Sequence, residues 1–141
     1  MTRATNASHR QSLNALLASL QWNDQGLIPA VIQDAKTGRV LTLCYLNRDA
    51  VAKSFDEGKV YVFRRSQQRL MLKGETSGHT QRIRRWSVDC EGQSVLLEVD
   101  QRVAGCHAGY FSCYYRRVGA AGLQVRERRV FDPSKVYQKN A

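Results

Sequence analysis

The sequence of 141 residues predicts one compact domain of the α+β class, mainly β with a few short helices around a mixed β-sheet. Segments rich in β-branched and aromatic residues recur along the chain, separated by short turn-forming stretches. Helical periodicity is confined to short segments in the first half of the chain. Strands and helices do not alternate regularly, which is evidence against a doubly wound parallel sheet.

The first predicted elements are a helix and a hairpin. Leucines repeat at helical spacing between residues 13 and 20, and Gln11 would complete a capping box with Ser8. The pattern therefore predicts a short amphipathic helix that begins after Ser8. Residues 28–35 and 39–46 are rich in β-formers and flank the turn-like KTGR, so we expect them to pair as a hairpin.

A capped helix and a series of strands are predicted to follow. Asn47 can cap a helix through AVAKSFDE, and Gly58 accepts the left-handed conformation that ends it. Strands are expected in VYVFRR, in QRIRRWSVDC and, after a turn at Gly92, in SVLLEVDQ. YFSCYYRRV and LQVRERRVF are the remaining predicted strands. We assign residues 26–118 to the domain, residues 1–25 to an N-terminal extension and residues 119–141 to a basic C-terminal extension.

The net charge of +10 is concentrated in two segments. Residues 64–85 carry seven basic groups and one acidic group, and residues 116–141 carry seven basic and two acidic groups. Such local basicity suits a polyanionic partner or a small substrate with several phosphates, and solvated surface charge explains part of it. No zinc-finger spacing, RNA-binding aromatic signature or basic helix leading into heptads is present, so nucleic acid is not the expected partner.

The N-terminal region does not have the pattern of an export signal. Its most apolar run, SLNALLASL, is interrupted by polar residues and lacks a cleavage site, and no run reaches the roughly 20 apolar residues of a membrane span. We expect a cytoplasmic protein with reduced thiols and no membrane partner. The first acidic residue is Asp24, so an organelle-targeting function of residues 1–23 stays open as an alternative.

Three of the four cysteines are candidate metal ligands. Cys44 lies in the apolar stretch TLCYL and is expected to be an inert core thiol, whereas Cys90 stands at a predicted strand end and Cys106 and Cys113 flank a loop-like segment with His107. Three thiolates would leave the fourth position of a tetrahedral zinc ion open, as in catalytic sites. Spacing alone leaves two alternatives, three unrelated buried cysteines or a nucleophilic cysteine assisted by His107.

The segment KGETSGHT, residues 73–80, has a composition that a protein core does not require. Its glycines and small hydroxyl residues offer backbone amides and hydroxyls at close approach to an anion, and Lys73 adds a positive charge. Arg64, Arg65 and Arg69 precede it. The pattern favours an anion-binding loop, with an ordinary turn as the alternative.

Four blocks of the sequence resemble, in order, the signature segments of the phosphoribosyl-AMP cyclohydrolase family. They are GLIPAVIQDAKTGRVLTLCYLN, RRSQQRLMLKGETSG, DCEG and CHAGYFSCYYR, within residues 26–116. The resemblance implies an enzyme of histidine biosynthesis that opens the adenine ring of 1-(5-phosphoribosyl)-AMP between nitrogen 1 and carbon 6. It also implies an intertwined homodimer with active sites at the subunit interface.

The resemblance also assigns functions to particular residues. Cys90, Cys106 and Cys113 are expected to bind a catalytic zinc ion, with ligands contributed by both chains. His107 is the candidate catalytic residue, because an imidazole can transfer protons between the attacking water and the departing ring nitrogen. Orientation of a neighbouring ligand is the alternative function of His107.

The phosphorylated nucleotide substrate gives the basic segment and the KGETSG loop a function. Phosphate oxygens accept hydrogen bonds from ammonium, guanidinium, hydroxyl and amide groups. The residues expected to contact phosphate and ribose are Arg65, Ser66, Lys73, Glu75, Thr76, Ser77 and Gly78.

The acidic cluster beside Cys90 departs from the family pattern. The family's Asp-Cys-Asp-Gly-Asp is linked to magnesium, whereas this chain has Asp89, Glu91 and Gln93 around Cys90. Glutamate can coordinate magnesium with a longer arm, but glutamine offers only a neutral oxygen, so a magnesium site here is an open expectation. Other departures, at RRSQ, LML and Ala108, leave room for another phosphorylated purine or pyrimidine.

A second hypothesis comes from a different functional class. In it the chain is a catalytically lapsed relative that keeps zinc as a structural link across a dimer and binds nucleic acid or another phosphorylated ligand through its basic segments. The KGETSG loop and His107 favour the enzyme, because a structural zinc site requires neither. The altered acidic cluster and the basic C-terminal segment favour the alternative.

Overall fold

A computed structural model describes residues 3–137 of the chain, with side chains from residue 6 onward. The fold is mainly β with short helices, as the sequence predicts. No helix in this part of the chain is long and apolar enough to cross a membrane. The elements are α1 (Arg3–Ser19), β1 (Ile28–Asp34), β2 (Val40–Leu46), α2 (Arg48–Glu57), β3 (Tyr61–Arg64), β4 (Arg69–Leu72), β5 (Gln81–Val88), β6 (Val95–Gln101), β7 (Arg116–Gly119), β8 (Gly122–Val125) and α3 (Pro133–Tyr137).

A four-stranded mixed sheet forms the centre of the fold. Its strand order is β2-β1-β6-β5, with β1 and β6 parallel and the other neighbours antiparallel. The β1–β2 pair confirms the predicted hairpin around KTGR. Two separate hairpins, β3–β4 and β7–β8, complete the strands of the described region.

The hydrophobic core lies on one face of the central sheet. Burial alternates along β1 and along the start of β6, as expected for strands with one buried face. Leu16 and Leu20 of the N-terminal helical region and Ala50 and Val51 of α2 pack into the same core. The residues of the predicted N-terminal extension are therefore packed against the domain.

Local sequence signals account for the ends of α2. Asn47 accepts a hydrogen bond from the Ala50 amide, and Gly58 closes the helix in the left-handed region at φ 72°. Both predicted caps are confirmed. The predicted start of the first helix is wrong, because Ser8 lies inside α1. The helix instead begins at Arg3, and Arg3 and Ala4 are residue types with high helix propensity.

The predicted strand YFSCYYRRV is wrong over most of its length. Residues 107–115 are irregular, and only the end of the segment enters β7. The backbone there bonds to distant parts of the chain, with the Cys113 amide 2.7 Å from the Leu41 carbonyl oxygen. The predicted strand LQVRERRVF also shortens to β8, and β4 and α3 were not predicted.

Candidate active site

A cavity of about 650 Å³ lies between β2, the β3–β4 hairpin and two loops, residues 73–79 and 104–107. These walls come from segments far apart in sequence, and the fold brings them together. The sequence-predicted site residues that line the cavity are Lys73, Glu75, Thr76, Ser77, Cys106, His107 and Cys113.

The loop of residues 73–79 owes its shape to glycine. Gly74 adopts φ +87°, and a Cβ there would lie 2.4 Å from the His79 carbonyl oxygen. The Gly78 amide donates to the Gly74 carbonyl at 2.8 Å, which closes the loop. The Ser77 hydroxyl accepts from the His79 amide at 3.2 Å. Any other residue at position 74 would therefore open the loop that carries Thr76 and Ser77 into the cavity.

Two glutamine side chains hold the loop that leads to Cys106. The Gln101 amide nitrogen donates to the carbonyls of Arg102 and Ala104, each at 2.9 Å. Its oxygen accepts from the buried Gln81 amide nitrogen at 2.5 Å. Between the two carbonyls, Val103 adopts φ 68°, which is rare for a β-branched residue. The glutamine pair therefore stabilises a strained turn at the entrance to the cysteine loop.

The thiols of Cys106 and Cys113 are neighbours in the cavity wall. Cys106 is 6% exposed, and its sulfur accepts from the Ala108 amide at 3.4 Å. Burial raises the pKa of the Cys106 thiol, and the adjacent Cys113 thiol raises this pKa further. His107 stands between them in sequence, is exposed and lines the cavity. Two soft donors and one imidazole therefore face the same space.

Cys90 lies elsewhere, in the exposed turn between β5 and β6. The Asp89 carboxylate organises this turn, accepting from the Glu91 and Gln93 amides at 3.0 and 2.9 Å and from the Ser94 hydroxyl at 2.6 Å. These hydrogen bonds lower the pKa of Asp89, and the bond from Ser94 has the largest effect. The carboxylate proposed for magnesium already has three donors from its own turn.

The end of α1 holds the turn that carries Cys90. The Gln21 amide donates to the Gly92 carbonyl at 2.7 Å, and a Cβ at Gly92 would lie 2.1 Å from the Ser19 carbonyl oxygen. Across residues 3–137, no three His, Cys, Asp or Glu side chains are grouped so that they could hold a metal ion. One chain thus presents two thiols in the cavity and a third on a separate, anchored turn.

Three other predicted substrate residues lie outside the cavity wall. The Arg65 guanidinium donates to the Gln25 side-chain oxygen at 2.6 Å and lies over the Tyr45 ring. Ser66 and Gly78 are exposed. Arg64, the preceding residue, lines the cavity instead.

Sequence reasoning missed two residues that line the cavity, His79 and Tyr137. His79 is the next-to-last residue of the KGETSGHT segment, but nothing in the sequence indicated a function for it. Burial lowers the pKa of His79, and the positive charge of Arg102 lowers it further. Tyr137 has no sequence signal that links it to the site. Cys44 also lines the cavity, but burial raises its pKa to about 11, as suits the predicted inert thiol.

Comparison with known proteins gives one family. The family described as phosphoribosyl-AMP cyclohydrolase matches residues 42–115. The phosphoribosyl-AMP cyclohydrolase of Alkalilimnicola ehrlichii is 41% identical over 130 residues, which cover 92% of each protein. That of Pelotomaculum thermopropionicum is 42% identical over 124 residues, 87% of this chain and 96% of the relative. The histidine biosynthesis bifunctional protein of Thermoanaerobacter pseudethanolicus is 44% identical over 87% of this chain, which spans 57% of that relative's length.

Proposed function

The chain belongs to the phosphoribosyl-AMP cyclohydrolase family, and from this premise we propose that it is a zinc-dependent hydrolase that opens the adenine ring of 1-(5-phosphoribosyl)-AMP in histidine biosynthesis. The observation that supports the proposal most is the pairing of Cys106 and Cys113 beside His107, in one cavity with the KGETSG loop. Neither a plain core nor a surface loop requires this combination.

The donor set fits a zinc ion. Cys106 and Cys113 are adjacent thiols, and the backbone amide that points at the Cys106 sulfur would stabilise a thiolate there. Cys90 is exposed, so it is available to a second chain. When bound to the three cysteines, zinc would supply the Lewis acidity that makes water a nucleophile near neutral pH.

His107 would move the protons of the reaction. Water oxygen forms a bond to carbon 6 of the ring, the bond from carbon 6 to nitrogen 1 breaks, and a proton must pass from the water to nitrogen 1. His107 lines the cavity directly after Cys106, within reach of a ring held against the two thiols. An imidazole suits this transfer because it both accepts and donates protons near neutral pH.

The loop of residues 73–79 and the nearby cations would bind the phosphates. Thr76 and Ser77 present hydroxyls, while Lys73 and Arg64 present positive charge to the same cavity. The Glu75 carboxylate pairs with Arg69 at 3.0 Å, so it does not stand as an uncompensated anion beside the substrate. A ligand with two phosphates therefore meets donors on one wall and the thiols on another.

A second copy of the chain would complete the zinc site. The third thiol does not line the cavity of its own chain, although its turn is held in place by α1. The β7–β8 hairpin also pairs with no further strand of the described region and exposes Val118 at 86% and Leu123 at 61%. A separate two-stranded hairpin is marginally stable in water, so burial of its exposed apolar side chains against a partner copy would stabilise it.

Magnesium fits this chain less well than zinc does. The Asp89 carboxylate is engaged by donors of its own turn, and Gln93 contributes only a neutral oxygen. Glu91 is exposed and has a carboxylate to offer. A magnesium ion would therefore need ligands from outside this turn, and no step of the proposed mechanism depends on it.

Part of the positive charge that favours the nucleic-acid alternative is paired with carboxylates within the fold. On β5, Arg84 pairs with Asp100 at 2.5 Å and Arg85 with Glu98 at 3.4 Å. Two of the seven basic groups in residues 64–85 are thus paired with carboxylates of β6. A small phosphorylated substrate in the cavity accounts for Lys73 and Arg64 without a polyanionic surface.

The direct test is the zinc-loaded protein with phosphoribosyl-AMP, followed by the absorbance change of ring opening. We expect turnover that chelation of zinc abolishes and that added zinc restores. The His107→Ala protein is the matched control, because it should bind zinc without turning over at the natural rate. A folded, zinc-loaded dimer that leaves the substrate intact would contradict the proposed function.

A further inference from the structure

The segment after β8 folds back onto the cysteine loop. The amides of Val130 and Phe131 both donate to the Gly109 carbonyl, at 2.7 and 3.4 Å, and the Arg129 guanidinium donates to the Ala108 carbonyl at 3.0 Å. Gly109 has φ +100°, and a Cβ there would lie 2.7 Å from the Phe131 carbonyl oxygen. The cysteine loop and the C-terminal segment are therefore fitted to each other through backbone contacts.

Phe131 connects this segment to the opposite loop of the cavity. Its ring meets the His79 ring edge to face, with centroids 4.7 Å apart, and lies 6.3 Å from the Tyr137 ring. His79 and Tyr137 both line the cavity. Phe131 is thus the shared neighbour of two cavity-lining rings, although it is not itself part of the cavity lining.

We propose that residues 126–137 complete the substrate cavity and that the His79 and Tyr137 rings, held by Phe131, form an aromatic wall for the heterocyclic base of the substrate. The proposal rests on the proposed function, since it assigns a binding surface to the same adenine ring. Tyr137 and His79 are specificity residues that contact the base, and Phe131 is a positioning residue that acts through them.

Apart from the His107 imidazole, to which the proposed function assigns proton transfer, no other aromatic ring of residues 6–137 lines the cavity. Hydroxyls and cations of residues 73–77 suit phosphate and ribose, and the thiols suit a metal. Every base has a π-face, and stacking on an aromatic side chain is a common way to hold it. Burial and Arg102 lower the pKa of His79, which favours the uncharged form of this ring in the wall.

The test compares two probes that differ by the base, AMP and ribose 5-phosphate, in calorimetric titrations of the zinc-loaded protein. Tyr137→Leu should weaken AMP binding roughly tenfold, the scale of one lost base–aromatic stack, and change ribose 5-phosphate binding little. Tyr137→Phe keeps the ring and is the matched control, with AMP binding close to natural. Phe131→Leu should also weaken AMP selectively, because the His79 ring loses its edge contact.

Equal weakening of both probes by Tyr137→Leu, or unchanged AMP binding, would overturn the aromatic wall. Ring-opening kinetics separate this result from the proposed function. If the Tyr137→Leu protein turns over phosphoribosyl-AMP with the natural kcat/KM, the proposed function stands and the aromatic wall is wrong. If AMP affinity depends on Tyr137 but the natural protein does not open the adenine ring, the aromatic wall stands and the proposed function is wrong.

Discussion

Replacing Gln101 by methionine tests how strongly the cysteine loop depends on the glutamine pair. The substitution keeps the side-chain length and removes the donor to Arg102 and Ala104 and the acceptor for Gln81. Arg102 is exposed, so water can replace the bond to its carbonyl. Ala104 is 4% exposed and Gln81 0%, so their polar groups lose their partners in a buried place. At about 1–3 kcal/mol for each of these two groups, the free energy of unfolding should fall by about 2–6 kcal/mol.

Gln81→Met should cost less, although Gln81 is the more deeply buried residue. The Gln81 side-chain oxygen has no hydrogen-bond partner in the described structure, so the substitution also removes an unsatisfied acceptor. We expect a loss of about 1 kcal/mol, and in the double variant a loss well below the sum of the two.

Urea unfolding of the natural protein, both single variants and the double variant measures these costs. Gln33→Met is the control, because Gln33 makes one bond to the Gly38 carbonyl at an exposed site and should cost under about 1 kcal/mol. A Gln101→Met protein within about 0.5 kcal/mol of the natural protein, or strictly additive losses, would refute the buried network.

Three further predictions concern the metals and the proton transfer. Cys106→Ser should abolish zinc binding measured by metal analysis, because a hydroxyl is a poor replacement for thiolate, whereas Cys44→Ser should retain it; full zinc in the first variant would disprove the site. His107→Ala should keep zinc and lower turnover roughly a hundredfold or more, and unchanged turnover would remove it from the mechanism. Gln93→Asp should tighten magnesium binding in a calorimetric titration with magnesium alone, because a carboxylate adds an anionic oxygen, and equal affinity in the natural protein and the variant would exclude position 93 as a magnesium ligand.

Elements with local signals could be predicted from the sequence. The β1–β2 hairpin follows from two β-rich runs around one turn, and the caps of α2 follow from Asn47 and Gly58. The segment around Cys113 carries the composition of a strand but lies in a loop. Its backbone groups are satisfied by partners such as the Leu41 carbonyl, a contact that no local pattern encodes.

The candidate site shows the same division. Cys106, His107 and the KGETSG loop could be predicted because each motif is contiguous, and the structure brings them into one cavity. Tyr137 could not, because its place depends on the backbone contacts that fold the C-terminal segment over Gly109. The turn that carries Cys90 has a local signal at Gly92, but its contact with the chain after α1, through the Gln21 amide and the Gly92 carbonyl, has none.

The central claim is that the zinc site is assembled from two chains, and subunit mixing tests it most directly. Cys90→Ser and Cys106→Ser proteins should each be inactive alone. After unfolding and refolding together in equal amounts, we predict about a quarter of the natural ring-opening activity, because half of the dimers are mixed and each mixed dimer has one intact site. If all three cysteine ligands of a site came from the same chain, every zinc site in the mixture would lack one ligand. Mixed dimers without activity would contradict the account.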